Sequence, residues 1–163
     1  MASSSRDRDP YVFINQDLLP PVPRDALTAI LRRWDDSSDP TNDYLNYFTP
    51  HAVLVFGGEH CGRDAIRAAR DSMMHPQKGP VTKCQHFFET AFVTGGGMGM
   101  DGKWEIIGVA DVRYDLVGGG EVWTRAASWC RVAKEDDGRW LAERYEVFMD
   151  GSKLFEALAR LGK

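Results

Sequence analysis

A chain of 163 residues with 43% apolar and 27% charged residues is long enough to bury one hydrophobic core, and its balance is that of an ordinary soluble domain. The net charge of −4, with scattered cations, excludes a nucleic-acid surface, which needs clustered Lys and Arg to displace counterions. No apolar run approaches the roughly 20 residues of a membrane helix, so neither nucleic acid nor membrane is an expected partner.

The N-terminal Met-Ala-Ser-Ser-Ser-Arg-Asp-Arg-Asp-Pro lacks the apolar segment of a secretory signal, which predicts a cytoplasmic protein. Three widely spaced cysteines, Cys61, Cys84 and Cys130, fit reduced thiols and lack the paired spacing of a zinc site. Residues 1–22 read as a flexible arm, and 23–163 as a single domain. Within the arm, Tyr11-Val-Phe-Ile14 is apolar and is expected to lie on the domain or on a neighbouring subunit.

Leu27, Ile30, Leu31 and Trp34 follow i, i+3, i+4, i+7 spacing and predict a helix over 24–36. Asp39-Pro40 has the form of an N-cap and first helical residue for a short helix over 41–48. Ala52–Phe56 reads as a strand, followed by a Gly turn and a helix over 63–74. From residue 82 the period becomes two, which predicts strands over 82–93, 103–117, 121–134 and 139–149. Gly-rich or Asp-Gly turns separate them, so they form an antiparallel meander. Leu154, Phe155, Leu158 and Leu161 close the chain with a helix. The predicted fold is α+β: a cone-shaped barrel in which a curved antiparallel sheet wraps over three N-terminal helices and encloses a tapering cavity.

Five stretches carry a family resemblance: Trp34-Asp-Asp with Asp39; Phe48-Thr-Pro-His-Ala; Gly62-Arg-Asp-Ala-Ile66; Gln85-His86-Phe87; and Asp137-Gly-Arg-Trp140. With them the chain resembles the nuclear transport factor 2-like superfamily, in its SnoaL-like polyketide cyclase and scytalone dehydratase branches. The resemblance implies a cofactor-free, metal-free enzyme that works with acids and bases in its pocket, often as a homodimer. The superfamily also holds non-catalytic members, so the fold alone names no reaction.

His86 is the leading candidate. It lies mid-strand on the face shared with Phe88, Thr90 and Phe92, and a neutral imidazole there can move a proton near neutral pH. The resemblance to scytalone dehydratase places His86 on a catalytic histidine. The alternative is a buried histidine satisfied by a neighbour. Asp39 falls where the superfamily often has an orienting aspartate, although an N-cap is the competing reading; Asp35 and Asp36 read as solvated. Tyr114 ends an apolar face and offers a phenol, or is a core ring. Arg144 and Glu146 are a buried acid and cation if they face inward and a solvated ladder if they face outward. Trp34, Tyr47, Phe56 and Phe88 are expected to contact a substrate, and Ser128, on a strip of small residues, to hydrogen-bond it. Asp111, Arg113 and Asp115 read as an outer ion-pair ladder; turned inward, they would resemble the water-activating set of limonene epoxide hydrolase. The chain departs from the dehydratase pattern at Ala110, Phe56 and Ser38, where the resemblance expects a second histidine and two tyrosines.

The expected function is therefore a cofactor-independent isomerase, cyclase or dehydratase acting on a hydrophobic polyketide- or terpenoid-like small molecule in secondary metabolism. The alternatives are a non-catalytic small-molecule-binding or dimerisation module, and epoxide hydrolysis through Asp111 and Arg113.

Overall fold

The computed structural model describes residues 9–36, 41–75, 79–95 and 102–161. Helix α1 (Pro21–Trp34) buries Leu27, Ile30, Leu31 and Trp34, the stripe its spacing predicts. The segment expected as a second helix is only a five-residue 3₁₀ turn, Asp43–Tyr47. Strand β1 (Phe48–Val55) turns through Gly57, at φ 65°, into the short β2 (Glu59–Cys61), which had no sequence signal. Helix α2 (Arg63–Met73) follows, then the long strands β3 (Val81–Gly95), β4 (Trp104–Leu116), β5 (Glu121–Lys134) and β6 (Trp140–Met149), and the closing helix α3 (Ser152–Leu161). Asp39-Pro40, Ser38 and most of the Gly-rich turn after β3 lie outside the described residues.

The six strands form one sheet in the order β2-β1-β6-β5-β4-β3. The meander β3 to β6 is antiparallel as predicted, but β1 pairs parallel to β6, so the sheet is mixed. It is curved and unclosed. Bulges bend it: β3 carries an extra residue between Phe88 and Ala91, and β6 another at Glu143, between Ala142 and Arg144. Because side chains alternate, each extra residue exchanges inside and outside for the rest of its strand.

The Gly62-Arg63 motif turns out to be scaffolding. Gly62 adopts φ 84°, its amide donates to the Ala52 carbonyl at 2.8 Å, and the Arg63 guanidinium donates to the Phe48 carbonyl. The start of α2 is thereby tied to the beginning and the middle of β1.

The concave face packs on α1. At Gly108 of β4 a Cβ would lie 2.7 Å from Leu27 Cδ2 and 3.3 Å from the Phe13 ring, so only hydrogen lets helix and arm approach so closely. The arm lies on its own domain, the first of its two expected placements. Its backbone runs along the free edge of β3: the Phe88 amide donates to the Pro10 carbonyl at 2.7 Å, and the Ile14 amide to the Glu89 carbonyl at 2.6 Å. Asn15 also bonds both backbone groups of Ala91, and Phe13 stacks on Phe88 at 4.3 Å. The arm so covers an edge that would otherwise present unpaired donors. Gly108→Val should destabilise the fold by about 1–3 kcal/mol through overpacking. Urea denaturation measures this, and an unchanged midpoint would mean that α1 does not bear on Gly108.

Candidate active site

The site begins with the end of α1. Asp35 follows the last helical residue, and its amide still donates to the Leu31 carbonyl at 2.9 Å. This keeps Asp35 in line with the buried positions Leu27 and Leu31, four residues apart, and the carboxylate turns under the sheet with only 6% of the residue exposed. The helix end is held by Arg70 of α2, itself 3% exposed. Its guanidinium donates to the Trp34 carbonyl through Nη2 at 2.8 Å and Nε at 3.2 Å, and to the Asp36 carbonyl at 3.2 Å. The ring of Tyr44 lies 4.7 Å from the same guanidinium. A cation at a helix C-terminus satisfies carbonyls that have no partner in the helix and complements its dipole.

Opposite Asp35 stands His86 of β3, 8% exposed. Its ring Nδ1 lies 2.8 Å from Asp35 Oδ1, and its own backbone amide donates to Oδ2 at 2.7 Å. The phenol of Tyr11 also donates to Oδ2, at 2.9 Å. With these donors converging on it, Asp35 is the acceptor of the set. Nδ1 is then the protonated ring nitrogen and Nε2 carries the lone pair.

Next to this pair is an apolar cavity of about 30 Å³, walled by Ile30, Leu31, Trp34, Phe48, Leu54, Phe56, Met73 and Val147, with His86, Cys84, Tyr114 and Tyr145 as its polar or polarisable groups. Tyr145 donates to Ser128 Oγ at 2.8 Å, whereas the Tyr114 hydroxyl lies beside the Thr124 side chain and 3.8 Å from the Met149 sulfur, a weak acceptor that a ligand oxygen can displace. Burial pushes the Cys84 thiol well above its ordinary value, so it stays neutral.

Asp35, Cys84 and His86 place an oxygen, a sulfur and a nitrogen within 4.8 Å of one another, the donor types of a zinc site. A metal there would have to deprotonate the buried thiol and break the Asp35–His86 bond. The donor set fits a hydrogen-bonded cluster better than a metal centre.

Residues 24–146 match the SnoaL-like domain. The chain belongs to the SnoaL-like family. Solved structures share its nuclear transport factor 2-like fold. The hexachlorocyclohexane dehydrochlorinase LinA type 2 is 16% identical over 79% of this chain and 83% of its own, with a TM-score of 0.64. Nuclear transport factor 2 of Cryptosporidium parvum is 10% identical over 85% and 98%, with a TM-score of 0.62. A Catenulispora acidiphila protein in complex with S-DNPA is 20% identical over 80% and 95%, with a TM-score of 0.59. At such identities the likeness shows the fold alone. No curated protein matches the chain.

Within this SnoaL-like cone, the expected site residues separate into three groups. His86, Tyr114, Trp34 and Phe56 meet at the cavity. Ser128 stands one step behind it as the partner of Tyr145. The others lie elsewhere. Arg144 and Glu146 form an ion pair at 2.5 Å on the convex face, because the bulge at Glu143 turns Tyr145 and Val147 inward in their place. Phe88 faces the concave side but lies beneath Phe13 of the arm. Tyr47 borders a separate surface recess with Arg33 and Trp140. Asp39 is outside the described residues, and the reading of Asp35 as solvated is overturned by its burial. Asp111 and Arg113 are also convex, engaged with Arg125 and Asp115 respectively, as the ladder reading expects.

Burial raises the phenols of Tyr114 and Tyr145 far above the ordinary value of 10.0. Above pH ~10 the unfolded chain therefore releases these protons while the native state keeps them. Stability should be indifferent to these two groups below pH ~10 and fall above it, by at most about 1.4 kcal/mol per pH unit for each. Urea titrations between about pH 8 and about pH 11 measure the slope. A curve with no fall above pH ~10 would contradict the burial of both phenols.

Proposed function

We propose that the chain is a cofactor-independent acid/base enzyme whose base is His86, oriented by Asp35, and whose substrate is a small, mostly apolar molecule. The observation that carries this reading is the buried Asp35–His86 pair at the wall of an apolar cavity, with one ring nitrogen committed to the carboxylate and the other left for a ligand. Nε2 would take a proton from a carbon activated by a neighbouring carbonyl or leaving group. The imidazolium so formed sits against the Asp35 carboxylate, and the electron pair left on the substrate either moves onto a carbonyl oxygen or expels a leaving group at the adjacent carbon. Tyr114, held as a neutral phenol by burial, would donate to the developing oxyanion. Return of the proton to another atom completes an isomerisation or cyclisation; loss of the leaving group completes an elimination. LinA, one of the structural neighbours, is a dehydrochlorinase, which supports the second outcome. The S-DNPA complex supports small-molecule binding in this cone. A polyketide- or terpenoid-like substrate of secondary metabolism rests on the resemblance alone.

In this state the cavity holds only about 30 Å³, room for about one water. Phe56 and Met73 wall it and also border an outer recess of about 340 Å³, completed by Phe155 and Leu158 of α3. A substrate would enter by displacing these two side chains. For the homodimer that the resemblance implies, the convex sheet face offers exposed Phe92, Trp123 and Phe148.

The test is hydrogen–deuterium exchange in D₂O at the activated carbons of a panel of hydrophobic ketones, with elimination of β-leaving groups followed in parallel. Wild type should exchange or eliminate, and His86→Ala and Asp35→Asn should lose about 10²–10⁴-fold while remaining folded by circular dichroism, at a lowered melting temperature. Equal rates in wild type and His86→Ala would remove His86 as the base; ligand binding with no turnover would establish the binding module.

A further inference from the structure

Asp35 faces three donor groups from two places in the chain, and one of these lies outside the family match: the N-terminal arm. Tyr11 precedes the matched region 24–146 altogether. Its ring is held between two side chains. Phe88 meets it edge-on at 5.6 Å, and the Arg32 guanidinium lies 4.8 Å over it. Arg32 also pairs with Asp9 at 3.0 Å, and the Tyr11 amide donates to the same Asp9 carboxylate at 2.9 Å. The backbone bonds at Pro10 and Ile14 bracket the residue on β3.

The hydroxyl is equally committed. Gln85 Nε2 donates to the phenol oxygen at 2.9 Å, which directs the phenol proton to Asp35 Oδ2, also at 2.9 Å. Burial and the adjacent Asp35 carboxylate raise this phenol far above its ordinary range, so it remains a donor throughout the physiological range.

The Cβ–Cγ torsion of an aspartate is broad and soft, so a carboxylate takes its orientation from its partners. The His86 amide reaches Oδ2 from one side only. A second donor on that oxygen makes the plane of the carboxylate a fixed quantity, and with it the direction in which Oδ1 meets Nδ1. We propose that Tyr11 is a positioning residue: through the relay Gln85–Tyr11–Asp35 the N-terminal arm locks the carboxylate that holds His86 with Nδ1 protonated and Nε2 turned to the cavity. The arm is then a working part of the site rather than a tail that shields a sheet edge.

The kinetic consequence rests on the acid/base reading above, but the structural one does not, and the experiment keeps them apart. Nitrogen-15 NMR of the imidazoles, with His86 assigned by its absence in His86→Ala, reports the tautomer directly. Wild type should show a single Nδ1–H tautomer with a downfield, slowly exchanging proton. Tyr11→Phe, which retains the ring and its packing, should give mixed tautomers and faster proton exchange at an unchanged fold. In any exchange or elimination assay that responds to His86, it should lower kcat about tenfold with KM within twofold, the scale of losing one hydrogen bond to a charged group. Asn15→Ala serves as the control, since it loosens the arm at Ala91 but leaves the phenol. It should keep the wild-type tautomer and rate.

An Nε2–H tautomer in wild type, an unchanged His86 spectrum in Tyr11→Phe, or equal effects in Asn15→Ala and Tyr11→Phe would each overturn the proposal. If His86→Ala leaves turnover intact, it is the acid/base reading that fails, and the NMR comparison still decides the role of Tyr11.

Discussion

A carboxylate taken out of water must be given donors by the protein, and the position of Asp35 organises the whole concave side of this fold. Leaving such a group unpaired would cost several kcal/mol. Here the pairing draws together elements that are far apart in the chain: α1 supplies the carboxylate, β3 an imidazole and a backbone amide, and the arm a phenol. Arg70 of α2 makes the arrangement possible by capping the helix that ends just before Asp35. The capping matters because the carboxylate is delivered by the exact end of a helix. A further turn, or an unravelled one, would move it by several ångströms, out of reach of His86 and Tyr11.

The architecture was largely legible because it depends on periodicity. The buried stripe of α1, the period-two runs of β3 to β6 and the Gly62-Arg63 start of α2 all have local causes, and the structure has all of them. Site residues were legible only where strand parity stayed regular. Cys84 and His86 face inward as alternation requires, but the bulge between Phe88 and Ala91 then turns Phe92 outward, against the face shared with His86 that alternation predicts. The bulge at Glu143 does the same to Arg144 and Glu146. A bulge inserts a residue without changing composition, so spacing cannot reveal it. Energetics could have hinted at the second one, since regular alternation would have buried an arginine and a glutamate on the face that carries Ala142.

Asp35 was misread for a different reason. Two adjacent acids after a helix look like solvated polar residues, and Asp39 before a proline looked more specific. The available signal was the extension of the helical stripe: Asp35 lies four residues beyond Leu31 and eight beyond Leu27, both buried. A charged residue in register with a buried stripe is either an error of reading or a group with partners. Tyr11 had no such signal, because its hydroxyl meets partners 24 and 74 residues away, on α1's end and on β3.

The apolar cavity and the buried pair belong to one physical arrangement. A base enclosed by Leu, Ile, Phe and Trp side chains acts in a medium where Coulombic interactions are far less screened than in water. In the proposed reaction the Asp35 charge would therefore stabilise a nascent imidazolium more strongly there than at a surface. For the proposed reaction such a site would also have to open, and the wall that it shares with the outer recess consists of side chains, Phe56 and Met73, with α3 beyond them. Met73 is unbranched and changes shape at little cost, whereas the groups on the opposite side, His86 and Asp35, are held by backbone bonds and by the arm. On the proposed reading, the proton would move on the hydrogen-bonded side of the cone, and the substrate would enter through the side-chain wall opposite. That wall contains no member of the Gln85–Tyr11–Asp35–His86 chain, so the site could change volume without disturbing the alignment of its base.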